Sequence, residues 1–193
     1  MLNFTENIVK YSLKDGISPR FLELAQKGLI KDLGFKKPAS EALKQGCNLF
    51  LQGDTGIGKS FLAFELMLDF KIHTNGYGRF YYNRASVLFG EYRGAYNNIA
   101  KVLSSVFTKE SFLYGEPPSK CKYVIVDEID DMPDWSILNE IIISAYDALV
   151  PVIFIGNLNA SEFKSALSDK AFSRFNEKSL ILALSGEDLR GKN

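Results

Sequence analysis

The stretch CNLFLQ-GDTGIGKS-FLAFELMLDFKI, residues 47–72, decides the fold. CNLFLQ is a compact apolar run that predicts a buried strand. GDTGIGKS at 53–60 fits the P-loop pattern of glycine, four residues, then Gly-Lys-Ser. Gly53, Gly56 and Gly58 let the backbone curl so that its N–H groups point inward. Phe61, Leu62, Phe64, Glu65 and Leu68 then mix three- and four-residue spacings, so 60–72 reads as a helix, apolar on more than one face. Strand, glycine loop and helix in that order make a phosphate cradle backed by the positive end of the helix. Lys59 is placed to reach β- and γ-phosphates and Ser60 to offer its hydroxyl to Mg²⁺.

Downstream, YVIVDEID at 123–130 is an apolar strand that runs out in carboxylates, with Asp127 lying 68 residues after Lys59. Asp127 at such a strand exit suits Mg²⁺, usually through water. Glu128 beside it is the natural base for a hydrolytic water. Asp130, Asp131 and Asp134 read as solvated surface. PVIFIGN at 151–157 is another strand, ending in Asn157. If that strand pairs with the Asp127 strand, Asn157 can bond the attacking water or the γ-phosphate; otherwise it simply starts a turn.

RFYYN at 79–83 and SLILAL at 179–184 complete the strands. Helices are expected over 21–29, 39–46 (Ser40 as cap, Gly46 as stop, with Pro38 breaking the chain before it), 85–107, 136–149 and 161–169 (Ser161 as cap). Residues 108–120, with Gly115, Pro117 and Pro118, read as loop. Apolar strands alternating with helices predict a mostly parallel five-stranded α/β sheet covered on both faces, a three-layer P-loop NTPase core. Residues 46–193 make that core. Residues 1–45 form a short extension with eight Lys or Arg against five Asp or Glu. Phe4, Ile8, Val9, Tyr11 and Leu13 either pack back on the core or dock a partner.

Composition bounds the function. At 193 residues and 46% hydrophobic content the chain is one globular domain. Lys plus Arg and Asp plus Glu number 23 each, so no overall basic field draws it to nucleic acid. Small basic clusters remain at Lys36-Lys37 and at Lys120 and Lys122, and Tyr92 and Tyr96 flank Arg93 on a helix that can serve a strand-binding surface or simply face the core. Cys47 and Cys121 cannot build a disulfide framework or a four-thiolate site and read as buried free thiols. His73 is the single histidine. The N-terminus has no signal-peptide core, and no apolar run approaches the roughly 18 residues of a membrane span, so a cytoplasmic protein is expected.

These motifs resemble the AAA+ ATPases, and within them the helicase-loader and transposition-helper group of DnaC and IstB type, from about residue 17 to 191. GDTGIGKS is similar to the group's Walker A loop, YVIVDEI to its Walker B strand and GNLNASEF to its sensor-1 segment. ISPRF at 17–21 resembles its Pro-Arg-aromatic segment near the nucleotide base, which implies a role for Pro19, Arg20 and Phe21. LSDKAFSRFNE at 167–177 resembles the segment carrying the arginine finger, which implies Arg174. LALSGEDLRG resembles the closing strand, with Arg190 as the matching arginine.

The resemblance implies binding of ATP and Mg²⁺ by Gly53, Asp54, Thr55, Gly56, Ile57, Gly58, Lys59, Ser60 and Phe61, with the metal on Ser60 and Asp127. It implies hydrolysis through Lys59, Asp127, Glu128, Asn157 and Arg174, slow without partners. It further implies homo-oligomeric assembly, a replicative ring helicase as partner, and weak, ATP-dependent contact with single-stranded DNA. No full helical lid follows the core, and the short N-terminal region fits a reduced loader of a phage or mobile element as well as a domain cut from a longer protein. Two further readings stay open: an inhibitory module aimed at a host helicase or loader, and a transposase helper on duplex DNA. A small-molecule kinase is disfavoured because 161–177 holds one arginine and makes a poor lid.

Overall fold

The computed structural model describes residues 5–30, 33–74, 79–94 and 121–186. Five strands, β1 (Asn48–Gln52), β2 (Arg79–Arg84), β3 (Cys121–Asp127), β4 (Val152–Gly156) and β5 (Ser179–Ala183), form one sheet in the order β2-β3-β4-β1-β5. Every pairing is parallel, including the β3–β4 pair on which the reading of Asn157 depended. Parallel neighbours require crossover connections, and helices supply those described here. They are α1 (Glu6–Lys14), α2 (Pro19–Gln26), α3 (Lys36–Lys44), α4 (Lys59–His73), α5 (Ala85–Gly94), α6 (Trp135–Ala148), α7 (Ala160–Ala166) and α8 (Asp169–Glu177).

The period-two geometry of a strand sorts the strand residues into two cores. Leu49, Leu51, Ile125, Ile153 and Ile155 point to one face and meet Ile8, Phe21, Leu43, Leu62 and Met67 from α1 to α4. Phe50, Val124, Val126, Val152 and Phe154 point to the other and meet Leu88, Ile137, Ile141, Phe163 and Phe175 from α5 to α8. The result is the expected three-layer α/β sandwich. α4 is apolar nearly all round because it packs between the sheet and the N-terminal helices, burying Leu62, Ala63, Phe64, Leu66, Met67 and Leu68.

The N-terminal segment shares the first core. α1 packs on α4, Ile8 is buried and Val9 half-buried, whereas Leu13 is exposed. At the C-terminal end of α1, Asp15 pairs with Lys71 of α4 at 2.5 Å and accepts the backbone N–H of Phe80 at 3.0 Å. Lys71 is 1% exposed. Asp15→Ala removes the ion pair of this buried ammonium and is expected to destabilise the fold by about 3–5 kcal/mol. Urea unfolding of the two proteins measures it, and a loss under 1 kcal/mol would show that Lys71 is held by its other neighbours.

Local expectations shift at helix starts. α3 begins at Lys36 rather than after Pro38, which sits in the first turn where an N–H is surplus anyway. Gly46 does end that helix, at φ 75°. α7 is capped by Asn159, not Ser161: the Asn159 side chain accepts from Ser161 and Glu162 N–H while Glu162 reaches back to the Asn159 N–H, a reciprocal capping box. Asp134 accepts the Ser136 N–H as the cap of α6. The segment around Arg174 is helix α8, capped at its start by Ser168. Cys47 is half-buried and unpaired. Residues 95–120, Phe4 and Arg190 lie outside the described residues, as do Tyr96, Lys120 and most of the helix and loop expected over 85–120.

Candidate active site

β1 enters the glycine loop at Gly53, where φ is 143° and an added Cβ would come within 2.3 Å of the Leu184 carbonyl. Only glycine fits, because the loop passes directly over the end of β5. Gly58 then turns the chain into α4 in the left-handed conformation, and no side chain caps the helix. The first-turn N–H groups of α4 are left for an anion.

Lys59 is 8% exposed and arches back over the loop. Its ammonium donates to the carbonyls of Gly53 (2.6 Å) and Asp54 (2.8 Å) and to Asn157 Oδ1 at 2.9 Å. The end of β4 thus meets the loop directly, as expected if Asn157 faces the phosphate site. Asn157 is fixed from behind by Asp130, whose carboxylate accepts the N–H groups of Asn157 and Leu158 at 2.8–3.0 Å. Asp130 is therefore no free surface acid. Gly156 keeps this approach close, since a Cβ there would lie 2.7 Å from Ile129 and 2.9 Å from Asp130.

Asp127 ends β3 and is 4% exposed. Its Oδ1 accepts the Glu128 N–H at 2.8 Å and its Oδ2 accepts the Tyr82 hydroxyl at 2.7 Å. Burial first, and then the Asp127 charge, push the Tyr82 phenol far above its ordinary range, so it stays a donor. Glu128 adopts the left-handed conformation (φ 56°), uncommon for a residue with a Cβ, which turns its carboxylate out of the strand direction. Arg84, at the end of β2, stands 3.5 Å from it.

Lys59, Asp127, Glu128, Asp130, Gly156 and Asn157 border one cleft of about 490 Å³. Thr55, Gly56, Gly58 and Ser60 of the glycine loop and the start of α4 line it as well. The rest of the lining is apolar, formed by Leu24, Leu29, Ile30, Leu33, Phe61, Leu62 and Ile155, apart from Arg20 and Glu65. Of the segment 19–21, Arg20 borders the cleft, Pro19 is the first residue of α2, and Phe21 does not line the cleft. Phe21 is fully buried, with its ring 5.3 Å from Phe61 and 5.5 Å from Phe64.

Among the described residues no group of three or more His, Cys, Asp or Glu forms a metal cage. The donors present are hard oxygens, Ser60 and Asp127, each with lone pairs to spare. They fit Mg²⁺, which binds through one or two protein ligands with water and substrate phosphate completing its shell.

Arg174 is not among the cleft residues. On α8, its guanidinium lies 3.6 Å from Asp147 and 5.1 Å over the Tyr146 ring of α6, and its Nη1 has no hydrogen-bond partner. Phe175 is buried and Phe172 half-buried, so the helix is anchored on both sides of it. Of the small basic and aromatic groups noted in the sequence, Lys36, Tyr92 and Arg93 are among the described residues. Lys36 is paired with Asp69 at 2.9 Å, Tyr92 packs on the second core, and Arg93 lies over Phe89. Sequence reasoning missed Tyr82, Arg84, Asp130 and the leucines that line the cleft. Tyr82 and Arg84 carried one signal, polar tips alternating on one face at a strand's end.

No family model matches the sequence, and no curated protein matches it. Solved structures do match in fold. The DnaC helicase loader superposes with a TM-score of 0.55 at 18% identity, covering 74% of this chain and 81% of that one. DnaI gives 0.58 at 14% identity, with 84% and 87% covered. The replication initiator DnaA bound to AMPPCP and single-stranded DNA gives 0.54 at 18% identity, covering 97% of this chain and 52% of that one. Among the described residues no helix is long and apolar enough to cross a membrane. The chain thus shares the three-layer α/β fold of these solved helicase-loader and replication-initiator structures.

Proposed function

We propose that this chain is an ATPase that loads a replicative ring helicase onto single-stranded DNA, hydrolysing ATP between subunits of a homo-oligomer. One observation carries the ATPase reading: Lys59, Asp127, Glu128 and Asn157, from α4, β3 and the end of β4, converge on one cleft beside an uncapped helix N-terminus. The triphosphate lies along Gly53–Ser60, with Lys59 exchanging loop carbonyls for β- and γ-phosphate oxygens. The base lies toward the leucines of α2 and its following loop, in the cleft that Arg20 also lines. Ser60 and Asp127 hold Mg²⁺, which supplies neutralising charge to the phosphates. Glu128 takes the proton of the attacking water, and Asn157 orients that water or the γ-phosphate.

The loader reading adds the fold shared with DnaC and DnaI, and the likeness to a DnaA structure holding single-stranded DNA supports weak, ATP-dependent strand binding. Lys59→Ala tests the nucleotide reading. It removes the one ammonium that bridges the loop and β4, and a fluorescent ATP analogue titrated with Mg²⁺ should bind at least tenfold more weakly. Equal affinity and equal hydrolysis in the two proteins would reject the site. Turnover that rises with ring helicase and single-stranded DNA supports loading; helicase blocked without turnover supports an inhibitory module instead.

A further inference from the structure

The edge strand β2 carries an interaction that the nucleotide reading does not use. Tyr82 and Arg84 lie on one face of β2, and the register sets Arg84 opposite Asp127 and Tyr82 opposite Ile125. The Tyr82 ring packs against Phe64 of α4 at a centroid distance of 4.9 Å. From that seat its hydroxyl reaches Asp127 Oδ2 at 2.7 Å, while the Glu128 N–H holds Oδ1. Two donors on two oxygens fix the plane of the carboxylate and leave each oxygen a lone pair. On the outer side, the turn after α1 closes against the same ring. Gly16, at φ 92°, lies so near that an added Cβ would be 3.2 Å from Tyr82 Cδ1, and neighbouring Asp15 bonds the Phe80 N–H two residues before Tyr82.

We propose that Tyr82 is a positioning residue for the metal-holding carboxylate, and that the turn after α1 sets the ring from which it works. This rests on the nucleotide reading above. A carboxylate locked in one plane presents its free lone pairs to Mg²⁺ or its water without first losing rotational freedom. A carboxylate free to turn pays that cost on binding. Outer-shell partners of this kind typically carry about 10–100-fold in metal affinity. The α1 segment, far along the chain from β3, thereby becomes part of the metal site's support.

The test is the affinity of a fluorescent ATP analogue measured across Mg²⁺ concentrations and in EDTA. For Tyr82→Phe, the Mg²⁺ concentration at half-maximal affinity should rise about tenfold, with the affinity in EDTA unchanged. Mn²⁺, followed by its paramagnetic resonance with ATP bound, should show the same displacement without reference to turnover. Gly16→Ala keeps the hydroxyl but crowds the ring, and should move the midpoint in the same direction by less; it also serves if Tyr82→Phe does not fold. A lower melting temperature with an unmoved Mg²⁺ midpoint makes Tyr82 a purely structural residue and overturns the proposal, while loss of binding in Lys59→Ala leaves the nucleotide reading standing. A parent protein whose nucleotide affinity ignores both Mg²⁺ and Lys59→Ala overturns both.

Discussion

Glu128→Gln should bind Mg·ATP like the parent and hydrolyse it roughly 10²–10⁴-fold more slowly, the span expected when a general base is lost. The side chain borders the cleft and is 45% exposed, so it contributes little to folding. Glutamine keeps its size and a hydrogen-bonding tip but cannot take a proton. In the proposed reading, the backbone is what suits Glu128 to be the base and Asp127 the metal ligand. Asp127, still in the strand, is buried and held by two donors. Glu128, one residue on, is rotated by its left-handed conformation into the open cleft. Such strain costs of order 1 kcal/mol and is kept where the surroundings enforce it. Here the Glu128 N–H is tied to Asp127, and the Asp131 N–H bonds the Glu128 carbonyl at 3.0 Å. Single-turnover hydrolysis after confirmed nucleotide binding is the measurement. A Gln variant that hydrolyses at the parental rate in the assembled state removes Glu128 as the base.

The parts legible in the sequence are those fixed by local pattern. GDTGIGKS announces its cradle because glycine positions, lysine and serine act over eight consecutive residues. The apolar runs of β1, β3 and β4 announce a sheet covered on both faces because each run is too uniformly apolar to face water. What stayed hidden depends on distant registers. The hydrogen bond from Tyr82 to Asp127 spans 45 residues and exists only because β2 lies beside β3 in one alignment. Asp130 looked like one more surface acid, yet it holds the end of β4, 27 residues away. Phe21, placed near the nucleotide by resemblance, belongs to the core because the helical period buries it, with Leu22 and Ala25, and sets its ring against Phe61 and Phe64 of α4. Asn159 displaced Ser161 as a cap because a reciprocal bond from Glu162 satisfies one more N–H than a lone serine would.

Arg174→Ala should leave ATP binding by the isolated subunit unchanged and abolish the stimulation that follows assembly. Within one subunit Arg174 is held off the cleft by Asp147 and Tyr146, and only part of its hydrogen-bonding capacity is used: Asp147 stands 3.6 Å from Nη2, and Nη1 has no hydrogen-bond partner. A guanidinium carries five donors in a rigid fork, suited to charge spread over phosphoryl oxygens. Swinging it away from Asp147 costs little, because that ion pair is long and Asp147 is 63% exposed. The proposed recipient is the cleft of a neighbouring copy packed head to tail, a contact that would close into a ring or continue as a spiral. Lys59→Ala and Arg174→Ala then damage opposite sides of one interface. Each variant alone should be inactive in the assembled state. Mixed, they form some interfaces that join an intact Lys59 to an intact Arg174, and at equal amounts roughly a quarter of random interfaces have that composition. Hydrolysis should therefore return to a comparable fraction of the parental rate, if each interface works alone. Activity measured over a series of mixing ratios, with mixed oligomers verified by light scattering, decides the matter. No recovery at any ratio would mean that Arg174 acts within its own subunit, as a stacking and ion-pair residue between α6 and α8, and that catalysis needs no neighbour's arginine.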